Sequence, residues 1–298
     1  MTTRSAVLIV NAQSRKGQAQ FAAACAALKA LPFPVDAHAI TDPDTLDTVI
    51  KTALAAKPDL MILGGGDGTI SGLVDHLVGT DTALGVLPLG TANSFARTLG
   101  IPLDIEGAVE VLRTGRRKRI DLGMIDKDYF ANCAAIGIAP QIAQTVPHTL
   151  KKYLGRLGYL SWAALQYAKF RPFELVIEDA GIRRSVTVVE VRISNGGFHG
   201  GTEIVDDARV DSGEIIVQAV TGSFKRRLLK NWIASALRLP ARHDDTVSFT
   251  GTALRVSTTP RLPISIDGEV LAKTPVTARI AAGVIEVIVP AEESVTPA

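Results

Sequence analysis

Residues 64–69 read Gly-Gly-Gly-Asp-Gly-Thr, four glycines around the single carboxylate of Asp67. A turn without Cβ atoms can reach φ > 0 and lets a ligand approach the main chain. Its N–H groups then line an anion-binding concavity. Thr69 stands where a helix would begin, and a helix N-terminus attracts phosphate. The expected chemistry is retention of a polyphosphate, with Asp67 meeting the accompanying cation. Mg²⁺ suits that place, because it favours one or two carboxylates together with phosphate oxygens. The plainer reading is a tight strand-to-helix turn with Asp67 as its cap, but the glycine density argues for phosphate. No Gly-Lys-Ser/Thr follows, so this is not a Walker loop, and the glycines are not spaced as in a dinucleotide fingerprint.

A second cluster follows at 87–98, Leu-Pro-Leu-Gly-Thr-Ala-Asn-Ser-Phe-Ala-Arg-Thr. Thr91 and Asn93 offer hydrogen bonds at a helix start, and Arg97 adds a cation on nearly the same face as Asn93 and Ser94. A third is Asp267-Gly268-Glu269. Asp-Gly is a strong hairpin signal, and a carboxylate beside such a turn can also reach across a cleft as a general base. Phosphoryl transfer needs charge neutralisation and a group that orients the attacking hydroxyl, which these three clusters could supply together.

The elements that must position them divide the chain near residue 120. Before it, strands at 6–10, 35–40, 60–63 and 84–87 alternate with helices at 17–30, 43–56, 69–79, 91–99 and 104–114. That alternation predicts an α/β domain with a doubly wound parallel sheet. Ligands on such sheets bind at the carboxyl ends of strands, so the turns at Asn11, Gly64 and Pro88 should share one edge. After it, short Val-, Ile- and Thr-rich runs broken by Gly, Pro, Asn and Asp predict an antiparallel β-sandwich or barrel at 121–298, with helical insertions near 148–169 and 223–238.

Composition narrows the classes. The 298 residues are 47% hydrophobic and carry a net charge of +2, which excludes a strong whole-protein field directed at nucleic acid. Cys25 and Cys133 lack metal spacing and read as small buried hydrophobes in a reducing compartment. No apolar run approaches the roughly 20 residues of a spanning helix. The expectation is a soluble cytoplasmic protein, with any contact at the inner membrane face peripheral.

The pair Gly65-Gly66-Asp67-Gly68-Thr69 and Pro88-Leu89-Gly90-Thr91-Ala92-Asn93, with Phe95-Ala96-Arg97, resembles the diacylglycerol kinase catalytic-domain family, which includes bacterial soluble lipid kinases and sphingosine kinases. Asn11-Ala12-Gln13-Ser14-Arg15-Lys16-Gly17 and Asp267-Gly268-Glu269 match the same family, and the resemblance covers roughly residues 10–290. It implies an ATP- and Mg²⁺-dependent kinase for a lipid hydroxyl, with a nucleotide-binding domain, a β-sandwich lipid-substrate domain and the site in the cleft. It implies ATP contacts from Thr41, from Gly65, Gly66, Asp67, Gly68, Thr69, Ile70 and Ser71, and from Thr91. Asn11 and Lys16 would touch phosphates, Asp67 would engage Mg²⁺, and Glu269 would be the general base. Asp121 matches a family acid that either bridges to the catalytic carboxylates or ties the linker. Some relatives bind a structural Mg²⁺ in a loop corresponding to Arg209, Ser212 and Glu214. Here Ser212 replaces an Asp, a poorer ligand for that ion.

Two other readings stay open. An NAD kinase shares the Gly-Gly-Asp-Gly-Thr turn, although residues 87–97 fit lipid kinases better and no downstream Asn-Glu motif is found. A non-catalytic nucleotide or lipid sensor is the other. The lipid substrate would lie at a membrane surface, and a homodimer is compatible with the sequence.

For the lipid encounter, Phe224, Leu228, Leu229, Trp232, Ile233, Ala236 and Leu237 form one stripe at helical spacing, with Lys225, Arg226, Arg227, Lys230 and Arg238 on the polar side. Such a helix can lie in a membrane interface or pack its stripe on the sandwich. A second basic-aromatic segment runs from Lys151 to Leu160. His199, in the glycine-rich stretch 195–201, reads as a simple exposed turn.

Overall fold

In the computed structural model of the chain, residues 5–138, 140, 145, 162, 165–224, 226–237, 239 and 243–291 are described. The predicted strand–helix alternation is present. Strands β1 (Ala6–Asn11), β2 (Val35–Ile40), β3 (Leu60–Gly65) and β4 (Ala83–Pro88) pair in parallel in the order β2-β1-β3-β4. Apolar residues fill β3 and β4 on both faces, because helices cover both sides of a parallel sheet; both strands are buried along their whole length. Helices α1 (Arg15–Leu28), α2 (Leu46–Ala55), α3 (Asp67–Val74), α4 (Ser94–Thr98) and α5 (Ile105–Thr114) supply the crossovers.

Local chemistry sets the helix starts. Ser14 Oγ caps α1 by accepting from Gly17 N at 3.0 Å, and Asp104 caps α5 by accepting from Gly107 N at 2.7 Å. Two starts differ from the sequence expectation. α3 begins at Asp67 rather than Thr69, since Gly66 takes the extended cap position. α4 begins at Ser94 rather than at residue 91. Asn93 sits in the left-handed region (φ 48°) and folds its side chain back onto Gly90, accepting from Gly90 N at 2.9 Å. Asn tolerates that region better than most residues because its amide satisfies the local backbone.

Beyond α5 the strands turn antiparallel: β5 (Arg116–Ile125), β6 (Asp128–Phe130), β7 (Cys133–Gly137), β8 (Phe173–Asp179) and β9 (Ile182–Ser194) come first. The short pair β10 (Phe198–His199) and β11 (Thr202–Glu203) follows, then β12 (Ile215–Thr221), helix α6 (Arg226–Ala236) and β13 (Thr246–Gly251). The last strands are β14 (Ala253–Thr259), β15 (Pro263–Ile266), β16 (Glu269–Lys273) and β17 (Val276–Val289). They enclose a second apolar core around Phe173, Val191, Ile193, Val217 and Ile264. β5 and β17 form one long antiparallel ribbon, from Ala278 opposite Ile125 to Val289 opposite Arg116. That ribbon serves both cores. Ile120, Leu122, Ile285 and Val287 belong to the first core, and Ile125, Val276 and Ala278 to the second. β17 also pairs in parallel with β4 at Val287–Leu84, so the end of the chain returns to the first sheet.

Candidate functional site

The parallel order puts the strand ends Asn11, Ile40, Gly65 and Pro88 on one edge of the first sheet. Asn11 and Thr41 are exposed there, as is Lys16 in the first turn of α1. Asn11 Oδ1 accepts from Gln13 N at 3.2 Å, and Ala12 N donates to Ile40 O at 2.7 Å. The two central turns touch through their main chains. A Cβ on Gly90 would stand 2.4 Å from Gly66 Cα, well inside van der Waals contact, so position 90 requires glycine, and a Cβ on Gly66 would stand a tight 3.2 Å from Gly90 Cα. Leu89 N donates to Gly65 O at 3.0 Å, and Gln20 Nε2 donates to Leu89 O at 2.9 Å, tying α1 to the second turn.

No side chain caps the start of α3. Its first N–H groups therefore face outward at the positive end of the helix, the arrangement that holds phosphate. Asp67 occupies the first helical position. One oxygen, Oδ1, accepts from Phe95 N at 3.0 Å and so caps the neighbouring α4. Thr91 is exposed in the second turn, Thr69 packs under Gly65, and Ile70 is buried in the core.

The third cluster arrives from the second half of the chain. The turn between β15 and β16 carries Asp267 in the left-handed region (φ 44°) and Gly268 at φ 103°. Asp267 is half-buried, and its carboxylate accepts three hydrogen bonds. Oδ2 accepts from Ser71 Oγ at 2.6 Å and Ala131 N at 2.9 Å, and Oδ1 accepts from Cys133 N at 2.9 Å. Burial raises its pKa against the lowering effect of these donors. Glu269, two residues on, is exposed. It borders a cleft of about 170 Å³ together with Gly68, Ser71, Tyr129, Asp267 and Leu271. The hairpin and the site are thus one device: Asp267 anchors it to α3, and Glu269 faces the cleft. Sequence reading assigned Asp267 only to the turn; nothing in the tripeptide announces a hydrogen bond to α3.

Asp121 ties the linker in this structure. Its Oδ2 accepts from Gly213 N at 2.7 Å and its Oδ1 from Gly283 N at 2.8 Å. Ser94 is buried, and its Oγ accepts from Gly201 N at 3.0 Å. The glycine-rich stretch therefore folds onto α4, and His199 is no simple exposed turn. Burial alone would lower the imidazole pKa; Cys133 and Glu190 outweigh it and hold it at about 9.

Arg209, Ser212 and Glu214 lie apart from the phosphate turns, in the loop before β12. Ser212 Oγ sits 3.0 Å from Arg209 O and 3.3 Å from Glu214 O, on the two carbonyls a cation would need. Asp211 is engaged by Lys118 at 2.8 Å and Arg209 at 3.3 Å. Among the described residues no group of three His, Cys, Asp or Glu side chains could hold a metal. A serine hydroxyl closes this loop across the two carbonyls. The Lys151–Leu160 segment lies outside the described residues.

Comparison with known proteins matches residues 5–125 to the diacylglycerol kinase catalytic domain and residues 132–289 to the YegS C-terminal NAD kinase beta sandwich-like domain. A diacylglycerol kinase of Bacillus subtilis is 31% identical over 248 residues, covering 80% of either chain. A protein of Synechocystis sp. is 29% identical over 78% of this chain, and the match spans only 55% of that longer protein. A crystal structure of a diacylglycerol kinase from Bacillus anthracis superposes with a TM-score of 0.73 at 21% identity, covering 97% of this chain and 98% of that one.

Proposed function

We propose that this chain, which belongs to the diacylglycerol kinase catalytic-domain family, transfers the γ-phosphate of ATP to a lipid hydroxyl. The observation that carries this reading is the shared cleft, in which Glu269 faces the glycine-turn helix across Gly68 and Ser71. The Gly65–Ser71 segment binds the ATP phosphates through main-chain N–H groups and the α3 N-terminus, with Thr41, Thr91, Asn11 and Lys16 at the same edge. Glu269 takes the proton of the acceptor hydroxyl, whose oxygen bonds to the γ-phosphorus as the bridge to ADP breaks. Asp67 would hold the Mg²⁺ that accompanies ATP, which would supply neutralisation of the phosphate charge. Tyr129, Ile266 and Leu271 give the same cleft an apolar side, which supports an acceptor with a hydrocarbon portion such as diacylglycerol or a related lipid.

The test is transfer of radiolabel from [γ-³²P]ATP with Mg²⁺ to a total lipid extract resolved by chromatography. A labelled lipid is expected, reduced roughly 10²-fold or more in Glu269→Gln, while ATP binding by that variant persists. Label in NADP instead of lipid, or undiminished transfer by Glu269→Gln, would overturn the assignment.

A further inference from the structure

Helix α6 turns apolar side chains outward. The single stripe expected from sequence is split in two. Leu228 and Trp232 pack on the second core, whereas Leu229 and Ile233 remain 48% and 51% exposed. Leu237, one residue past the helix, is 64% exposed, and Phe224 before it is 61% exposed. Leu229, Ile233 and Leu237 recur every four residues and so form one ridge. The inward face is partly polar: Asn231 and Ser235 are buried, and Asn231 Oδ1 accepts from Arg192 at 3.1 Å. Trp232 Nε1 donates to Glu190 at 3.0 Å. Arg227 and Lys230 hold Asp245 and Asp244 at 3.3 and 3.1 Å. These bonds fix the rotation of the helix, so the ridge is a fixed feature of the surface.

The geometry points to this ridge as a docking surface for an anionic lipid bilayer, an inference that rests on the lipid-kinase reading above. Large apolar side chains clustered on a surface mark an interaction site, and the surroundings say which. Among the described residues of this helix Arg226, Arg227 and Lys230 are cations; Arg227 and Lys230 are met by Asp245 and Asp244, which leaves Arg226 in excess beside the ridge. Arg226 stacks over the Phe224 ring at 5.0 Å, a pair that places an apolar ring below and a guanidinium beside it. At a bilayer surface such a pair seats the ring among acyl chains and the cation among phosphates. The ridge also lies on the flank of the site. α6 packs against β9, β11 and β12, and β10 of the same glycine-rich region packs against α4. Among the described residues no helix is long and apolar enough to cross a membrane, so the contact is one of lying on the surface.

The test is sedimentation of the full chain with vesicles of phosphatidylcholine plus phosphatidylglycerol, and with phosphatidylcholine alone, in the absence of nucleotide. Wild type is expected to prefer the anionic vesicles and to lose binding in high salt. Leu229→Ser combined with Ile233→Ser should bind roughly tenfold or more weakly. Its turnover on a short-chain diacylglycerol dispersed in detergent should match wild type. Unchanged vesicle binding by the double variant would overturn the proposal. So would a wild-type dimer that Ile233→Glu converts to a monomer without loss of vesicle binding, since the ridge would then join two copies. Failure of the kinase reading shows separately, as absent turnover by wild type in detergent while vesicle binding still responds to the variants.

Discussion

Ser71 donates its hydroxyl to Oδ2 of Asp267 at 2.6 Å, across 196 residues of sequence. The bond joins helix α3, which begins in the glycine turn, to the hairpin that carries Glu269. The glycine turn and Glu269 thus belong to different halves of the chain and are held in register by a half-buried carboxylate. Ser71→Ala removes one of three donors from that carboxylate. It should cost about 1–3 kcal/mol, read by urea denaturation, and lower kcat as Glu269 loses its support. Ser71→Thr, which keeps the hydroxyl, should recover most of both. Equal stability of Ala and Ser would mean that Asp267 is held without α3.

The contact between the glycine turns predicts a loss of nucleotide affinity. In Gly90→Ala the new methyl meets Gly66 Cα at 2.4 Å, and backbone cannot yield as a side-chain tip does. The two turns must separate. Displacement of this order costs roughly 10²-fold in activity, with weaker ATP binding by calorimetry. An intact circular dichroism spectrum with unchanged ATP affinity would exclude the contact as a determinant.

Asp67 has two tasks, capping α4 through Phe95 N and, in the proposed function, holding Mg²⁺. Asp67→Asn separates them, because the amide oxygen can still accept from Phe95 N while the charge is gone. The fold should persist, with turnover lowered roughly 10²-fold or more and the Mg²⁺ concentration for half-maximal activity raised. Unaltered Mg²⁺ dependence would remove Asp67 from the metal role.

The Lys118–Asp211 pair makes a prediction in pH. The hydrogen bond from Lys118 holds the Asp211 carboxyl below the ordinary aspartate value of 3.8. A carboxylate with a depressed folded pKa contributes stability above its unfolded pKa and loses it as pH falls through the folded value. Asp211→Asn should therefore be less stable than wild type at pH 7, by up to about 1 kcal/mol for so exposed a pair. The gap should shrink as pH drops below 3.8. A gap independent of pH would show that the pair is not its source.

Ser212 closes its loop by contacting Arg209 O and Glu214 O. Ser212→Asp puts a carboxylate at that point of convergence. Mg²⁺ should then raise the melting temperature of the variant, as a ligand that binds only the folded state does, and leave wild type unmoved. Equal response of both proteins would contradict the reading that serine stands in for an ion.

The two glycine turns were legible because their signal is local: Gly90 must lie backbone to backbone on Gly66, and Asp67, Thr91 and Asn93 stand beside them. The strand–helix alternation was legible for a related reason, since each helix and strand of the first sheet carries its own apolar periodicity. The second half was read only coarsely. The strand after the Asp267-Gly268 turn, β16, was not assigned, and α6 was given one apolar face because periodicity records spacing and not which row of side chains meets the core.

The sequence by itself therefore determined the fold class and the edge on which the glycine turns gather. Tertiary structure alone decided that Asp267 anchors to Ser71, that His199 is half-buried beside Cys133, that Asp121 ties the linker, and that α6 turns Leu229 and Ile233 to solvent while Leu228 packs inward. The physical reason is separation along the chain. A hydrogen bond across 196 residues, or a helix rotated by bonds from Arg192 and Glu190, leaves no mark in a window of ten residues. Such bonds exist only once both cores have formed and the β5–β17 ribbon has brought the two halves together.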